Sequence, residues 1–264
     1  MITAPVGGRL RVIMQVAHQD QCGLLASAWG NAGFARPEPW VPIVGAAAAH
    51  DEGWRAWERN PEVLPAGEPR NFAAMDIEQH VAIHRASARA AHGQGERVGL
   101  LVGMHGCGLM MRRLGLDGAI PPLDERPNAV RVLVREQAAH ARATRAGMGE
   151  GAVLAGWAWA GYRILQAIDL LSLYMTWRGL PAGEAWTITR VPRVPGDEAG
   201  VVLRVTPVDL LTCAVDPWPF GPEAVDAHVV ARIIDDRPYA GACDLAAALD
   251  RAEPRVLPMR VVRA

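Results

Sequence analysis

The stretch Gly45-Ala46-Ala47-Ala48-Ala49-His50-Asp51-Glu52-Gly53-Trp54 joins a run of small residues directly to an adjacent His-Asp pair. Small residues allow two helices to approach closely, so this pair can lie inside a helical bundle. Consecutive residues of a helix point about 100° apart, so the pair can bind two neighbouring ions or flank one ion in a cleft. A helix cap or a solvated pair is the alternative. The pattern predicts a helix that starts near Trp40 and continues to Asn60.

Four other candidate metal ligands lie on separate predicted segments: His18, His80, His105 and Asp169. His18 follows a predicted strand, and His80 and His105 lie on two successive predicted helices. Asp169 lies on a predicted helix at 152–178 that is apolar nearly all round. A buried carboxylate is costly unless it is paired with a charge or bound to a metal. A metal is therefore one partner for Asp169, and Arg163 is the alternative.

His84 and Arg70 join Asp51 as candidate catalytic residues. His80 and His84 share one helix face at the His-x3-His spacing of zinc proteases. Val81 stands where those proteases carry glutamate, so the chain is not one of them. Arg70 lies in a loop rich in proline and glycine, at 61–71, where it could clamp an anionic substrate or remain a solvated charge.

Composition excludes several classes of function. The formal net charge is -1, so the chain lacks the basic footprint of a nucleic-acid-binding protein. All 27 basic residues are arginine, which excludes a Schiff-base lysine and a P-loop lysine. The four cysteines form no CxxC motif, which argues against a zinc ribbon and a disulfide framework.

The apolar segment at 152–178 raises the question of a membrane span. It carries Arg163, Gln166 and Asp169, which favour a buried helix over a membrane-spanning one. The N-terminal residues do not resemble a signal peptide. We therefore expect a cytoplasmic protein without a membrane or nucleic-acid partner.

The order of predicted elements indicates a mainly α fold. We expect a helical metal-binding domain with an N-terminal strand over residues 1–180, and a small β-rich subdomain packed on it over 181–264. Residues 186–190, 201–205, 212–215 and 229–234 look like strands between turns. Whether these strands pair with the N-terminal strand stays open, and none of them carries a catalytic set.

His18, His50-Asp51, His80, His105 and Asp169 follow the order His…His-Asp…His…His…Asp, and residues 10–178 therefore resemble the HD-domain metalloenzyme superfamily in its dinuclear form. The resemblance implies an HD-domain-like helical bundle and two metal ions, iron or manganese. It implies that His18, His50, Asp51 and Asp169 hold the first ion, and that Asp51, His80 and His105 hold the second. His80 fits the spacing of the superfamily pattern better than His84 does.

The whole chain also resembles a bacterial family of unknown function, through 50–54, 100–109, 166–173 and 217–220. That second resemblance implies no activity.

Two activities follow from the HD-domain resemblance. Most members are phosphohydrolases with a metal-bridging water, and a few are mixed-valence di-iron oxygenases whose substrate chelates one iron. Many members carry a phosphate-binding lysine after the Gly that follows His-Asp, whereas here Trp54 follows Gly53. We expect a metal-dependent (phospho)hydrolase of a small molecule, with a di-iron oxygenase as the alternative and a non-catalytic metal-binding protein as the third option. A homodimer stays open.

Overall fold

The structure is a computed structural model that describes residues 1–111, 122–148 and 151–264, without the side chains of 145, 148 and 151–155. The first elements along the chain are β1 (Ile2–Val6), β2 (Arg9–Ile13), α1 (Gln15–Ala28), α2 (Val41–Ala47), α3 (Trp54–Glu58), α4 (Ile77–His92) and α5 (Glu96–Met110). They are followed by α6 (Asn128–Met148), α7 (Gly151–Thr176), α8 (Gly179–Ala182), β3 (Trp186–Val191), β4 (Val201–Pro207), β5 (Thr212–Asp216), β6 (Ala224–Asp226), β7 (Val229–Asp235), α9 (Ala242–Arg251), β8 (Arg255–Leu257) and β9 (Arg260–Arg263).

Two sheets make this a mixed α/β protein. An antiparallel four-stranded sheet has the order β1-β2-β7-β8, and a five-stranded sheet has the order β3-β4-β5-β9-β6, with β5 and β9 parallel. The prediction of a mainly α, HD-domain-like helical bundle is therefore wrong. It failed because β1, with Pro5 inside it, was not recognised as a strand, and because long-range strand pairing leaves no local pattern in the sequence.

The four-stranded sheet joins the two ends of the chain. β2 pairs with β7 from Arg9 opposite Asp235 to Ile13 opposite Ala231. The sheet thus takes two strands from before residue 180 and two from after it. Since β2 leads into α1 at Gln15, this pairing also fixes where α1 starts.

The helices form a layer whose centre is α7. It packs against α1, α2 and α5, and α4 packs against α5. The apolar residues Ile164, Leu165, Ile168 and Leu171 of α7 are buried in the main core. Among the described residues, none of the helices has the length and apolar character required to cross a membrane.

The predicted helix from Trp40 to Asn60 is interrupted at the His-Asp pair. α2 ends at Ala47, α3 begins at Trp54, and residues 48–53 form turns. The ring Nδ1–H of His50 donates to the carbonyl of Ala47 at 2.8 Å. A Cβ atom on Gly53 would lie 2.1 Å from the Ile83 carbonyl oxygen, so only glycine allows α4 to pack this closely. The turn places His50 and Asp51 beside each other in the protein interior.

Candidate metal centre

Asp169 of α7 lies among three histidines from three other segments. Its Oδ1 is 2.9 Å from Nε2 of His18 and 3.7 Å from Nε2 of His50, and its Oδ2 is 3.6 Å from Nε2 of His105. None of these four residues is more than 4% exposed. The partner considered as an alternative, Arg163, donates to Gln166 Oε1 and to the backbone carbonyls of Thr189 and Arg190. The ion-pair contacts of Asp169 are therefore with imidazoles.

Asp51 extends this group on the side of the turn. Its Oδ2 lies 3.6 Å from Nε2 of His50, and the residue is 4% exposed. Its backbone N–H donates to Oε1 of Gln19 at 2.9 Å, and the amide of Gln19 donates to Glu52. The structure thus brings His50, Asp51 and Asp169 together from a turn and a distant helix.

Several ring nitrogens at the centre have no hydrogen-bond partner among the described residues. They are Nε2 of His50, Nε2 of His84, and both nitrogens of His105, all buried. A buried imidazole nitrogen without a partner costs free energy, so each such atom requires an explanation. A bound cation would satisfy the atoms that face Asp51 and Asp169.

The separations between these atoms fit a metal site better than a hydrogen-bonded cluster. Distances of 3.6–3.7 Å are too long for hydrogen bonds. Two ligands of one ion, each about 2.0–2.2 Å from it, lie about 3.0–3.5 Å apart. Histidine and carboxylate are ligands of zinc, iron and manganese, so the residues present fit a metal ion in their chemistry, and their separations exceed this ligand–ligand spacing by only a few tenths of an ångström.

Cys22 belongs to the same group, although the sequence analysis did not select it. One ligand atom each from His18, Cys22, His50 and Asp169 lies within 4.8 Å of the others, and this buried group could bind a metal ion. The Sγ of Cys22 is 3.8 Å from Nε2 of His18. His18 and Cys22 are four residues apart on α1 and therefore share a helix face, and this His-x3-Cys spacing is the signal in the sequence that points to Cys22.

Burial and the two carboxylates set the protonation of the centre. Burial lowers the pKa of His50, but Asp51 and Asp169 outweigh it and raise that pKa to about 9. Burial lowers the pKa of His105 to about 3. For Asp169, burial favours the neutral acid, but the hydrogen bond from His18 and the nearby imidazoles of His50 and His105 hold its pKa below the ordinary range. Burial raises the pKa of the Cys22 thiol well above its usual value.

A cavity of about 130 Å³ opens onto this centre. Its polar lining consists of Gln15, Asp51, His80, His84, His105 and Asp169. Its apolar lining includes Trp54, Phe72, Leu109, Met110 and Leu173. No arginine lines it among the described residues. A larger surface cavity, of about 420 Å³, lies beside Arg193 and Trp218, but no histidine lines it in the described part of the chain.

His80 and His84 both reach the cavity from α4, with their rings stacked 4.7 Å apart. His84 is 3% exposed, and His80 is only partly buried. Burial lowers the pKa of both, to about 4 for His80 and well below the ordinary value for His84. The charges of His105, His50 and Asp169 affect the pKa of His84, whereas none of these is a cause of the shift in His80. His84 is thus the member of the pair that is electrostatically coupled to the centre.

Arg70 lies away from these groups. Its guanidinium contacts Glu62 at 3.1 Å and Asp76 at 3.3 Å, and it donates to the carbonyl of Ala74. It does not line the cavity. The loop therefore uses this arginine in internal ion pairs.

A small cavity lined by buried imidazoles and carboxylates, on a mixed α/β fold, defines a protein with a candidate metal centre. The chain belongs to the family described as "Protein of unknown function (DUF3891)", whose profile matches residues 1–236. It has no significant match among curated proteins or among solved structures. The family description names no activity, so function has to be argued from the site.

Proposed function

We propose that the protein is a metal-dependent hydrolase of small organic molecules, with an HD-type dinuclear centre. The observation that carries the proposal is the set of buried nitrogens of His50 and His105 around the carboxylate of Asp169, which have no hydrogen-bond partner in the part of the chain that the structure describes. A fold retains such atoms at a cost unless a ligand satisfies them. Two bound ions would supply Lewis acidity to hydrolysis.

The residues divide between two ions in this proposal. His18, His50 and Asp169 would hold the first ion, with Cys22 beside them. His105 and a histidine of α4 would hold the second, and Asp51 would be available to either. This division rests on the contacts of Asp169, whose Oδ1 faces His18 and His50 and whose Oδ2 faces His105.

The lining of the cavity argues for a substrate of low charge. No arginine faces it among the described residues, the chain has no lysine, and Arg70 is engaged by Glu62 and Asp76. Trp54, Phe72 and Leu173 present apolar surface instead. A volume of about 130 Å³ is close to that of cavities which accept benzene, at about 150 Å³. We therefore propose that the group which reaches the ions is small and uncharged, such as a carboxylic ester or an amide.

A di-iron oxygenase is the second candidate. The observation that favours it is the combination of a histidine-rich donor set, which suits iron, with an apolar cavity that suits an organic substrate. The same residues would bind the metal and the substrate in both candidates. The identity of the metal and the consumption of oxygen distinguish them.

The test begins with protein purified without chelator. Metal per chain is measured by elemental analysis for the wild type, His50→Ala and Asp51→Ala, with exposed His228→Ala as the matched control. We expect each of the first two variants to lose at least one ion and the control to lose none. Unchanged metal content in both would reject the centre, and a wild type that binds no metal would reject both activities.

The activities are compared on paired substrates. We expect turnover of p-nitrophenyl acetate to exceed that of p-nitrophenyl phosphate, because the chain has no lysine and no arginine among the described residues lines the cavity wall to pair with a phosphate. Faster turnover of the phosphate would contradict the proposed uncharged substrate, but the proposal of a hydrolase would stand. A mixed-valence EPR signal with substrate-dependent oxygen uptake would favour the oxygenase.

A further inference from the structure

We propose that Gln21 and Ser172 are positioning residues that fix the proton on Nδ1 of His18, so that Nε2 faces the metal centre. The hydrogen-bonded chain that does this begins at the backbone carbonyl of Ala227, between β6 and β7. The inference rests on the proposed function only in taking His18 as a metal ligand. It gives the C-terminal part of the chain a role at the centre.

The side-chain amide of Gln21 has one orientation that its surroundings allow. Its nitrogen donates to the carbonyl of Ala227 and lies 3.5 Å from Sδ of Met259. Ala227 is itself fixed, because its N–H donates to the carbonyl of Met259 at 2.8 Å. Both neighbours of the nitrogen are acceptors, so a reversed amide would set oxygen against oxygen. Oε1 of Gln21 must therefore point towards Ser172.

Ser172 also interacts with the Cys22 thiol, but only one use of its own proton leaves no two oxygens facing each other without a hydrogen. Its hydroxyl lies within hydrogen-bond distance of Gln21 Oε1 and is 2.7 Å from Nδ1 of His18. A hydroxyl has one proton, and an amide oxygen only accepts, so the proton goes to Gln21. The serine oxygen can then only accept from His18, whose Nδ1 must carry a proton. This assignment holds whether or not Nε2 also bears a proton towards Asp169.

The spacing along two helices explains why this arrangement is stable. Gln21 follows His18 by three residues on α1, and Ser172 follows Asp169 by three residues on α7. Residues three apart share a helix face, so each helix presents one donor of the centre together with one member of the chain. All four side chains are buried. These hydrogen bonds therefore hold α1 against α7 beside the candidate metal centre.

Thr176 provides a matched control for Ser172. It is fully buried on the same helix, one turn further on, and its hydroxyl donates to the Ser172 backbone carbonyl. Ser172→Ala removes the hydroxyl that faces His18, whereas Thr176→Val removes a hydroxyl that does not. Equal effects of the two variants would indicate only the general cost of a lost buried hydroxyl.

Two measurements test the proposal on the full-length protein. Histidine-selective ¹⁵N NMR of the metal-free protein reports whether Nδ1 of His18 carries a proton. We expect a protected Nδ1 proton in the wild type and in Thr176→Val, and its loss in Ser172→Ala. Binding of Mn²⁺, followed by the EPR signal of the free ion, should weaken about 10- to 100-fold in Ser172→Ala and less than about threefold in Thr176→Val.

The outcomes separate this inference from the proposed function. An unprotonated Nδ1 in the wild type would overturn the inference, and so would equal weakening of Mn²⁺ binding in the two variants. If the wild type binds no Mn²⁺, the proposed function fails, and the NMR result alone decides whether the chain of bonds is real. Gln21→Met should also lose the protected Nδ1 proton of His18. This variant tests the inference independently if Ser172→Ala does not fold.

Discussion

The donors of the centre fall into two groups that differ in how the protein supports them. The hydrogen-bonded donors, His18, His50 and Asp169, each have a partner that sets their orientation: Ser172, the Ala47 carbonyl and His18, respectively. The unpartnered donors, His84 and His105, have no orienting hydrogen bond among the described residues; they share with His50 a buried Nε2 that lacks a partner, but His50 is held by its Nδ1. Both groups are equally inaccessible to solvent, so burial alone does not explain the difference.

The difference indicates which part of the centre is preorganised. A ligand that is oriented by a second hydrogen bond binds a metal with little rearrangement. An unpartnered imidazole instead costs about 1–3 kcal/mol of folding free energy until something binds to it. We infer that the first group sets the position of an ion and that the second group is completed by a further ion or by substrate.

The largest effect is expected from Asp169→Asn, which would remove the charge shared by both groups. The carboxylate contacts His18, His50 and His105, so its loss leaves three imidazoles without their common anionic partner. We expect metal content to fall to near zero, as measured by elemental analysis after dialysis. Asp235→Asn, on the exposed end of β7, is the control. Wild-type metal content in Asp169→Asn would remove the basis for treating the two groups as one centre.

The second prediction compares one member of each group in metal-free protein. His105→Leu replaces an imidazole that has no hydrogen-bond partner among the described residues, so it should stabilise the metal-free fold by up to about 1–3 kcal/mol. His50→Leu should destabilise it by about 3 kcal/mol, because it removes the bond to Ala47 and leaves Asp51 and Asp169 without their buried neighbour.

Urea unfolding in the presence of a chelator measures both changes. The sign of the change in unfolding free energy is more informative than its size, because replacing a histidine with leucine can also alter packing. If His105→Leu were as destabilising as His50→Leu, His105 would have a structural partner and the distinction between the two groups would fail. Both variants should lose at least one ion when metal is supplied.

Part of this centre could be predicted from the sequence because its residues interrupt apolar patterns. Asp169 and His105 stand out as polar residues on apolar helices, and His50-Asp51 ends a run of alanine. Gln21 and Ser172 could not be selected in this way. They are ordinary polar residues whose role depends on each other and on a carbonyl about 200 residues further along the chain from Gln21.

The fold was less accessible to sequence reasoning than the centre. Helix periodicity is local, and α4, α5 and α7 fall on segments predicted as helical. The pairing of β2 with β7 joins residues more than 200 positions apart, and no local pattern records which strands pair. The turn at residues 48–53 was predicted as helix, because alanine favours helix and the bonds that end α2 involve His50 itself.

The third prediction concerns which histidine of α4 belongs with the unpartnered donors. Sequence spacing favoured His80 as the ligand, whereas in the structure His84 is the more buried and is coupled to His105 and Asp169. We expect His84→Ala to weaken binding of the second ion about 10-fold or more, and His80→Ala to weaken it less. Isothermal titration with Mn²⁺ measures both. If His80→Ala weakened Mn²⁺ binding more than His84→Ala, His80 would be the metal ligand and His84 would be left as a group that contacts substrate.

The smallest effect is expected from Arg70→Ala, which lies outside both groups. The guanidinium is 16% exposed, and its partner carboxylates on Glu62 and Asp76 are 34% and 68% exposed. Such partly exposed ion pairs contribute about 0–1 kcal/mol, so the melting temperature should change little and metal content should not change.

If the loop also reaches substrate, KM should rise in Arg70→Ala while kcat is retained, since Arg70 would then contribute uniform binding. Arg70→Lys is the control, because it keeps the charge but loses the fork that joins the two carboxylates. A fall in kcat or in metal content for Arg70→Ala would connect this loop to the centre and show that the hydrogen-bonded donors depend on more than the contacts described above.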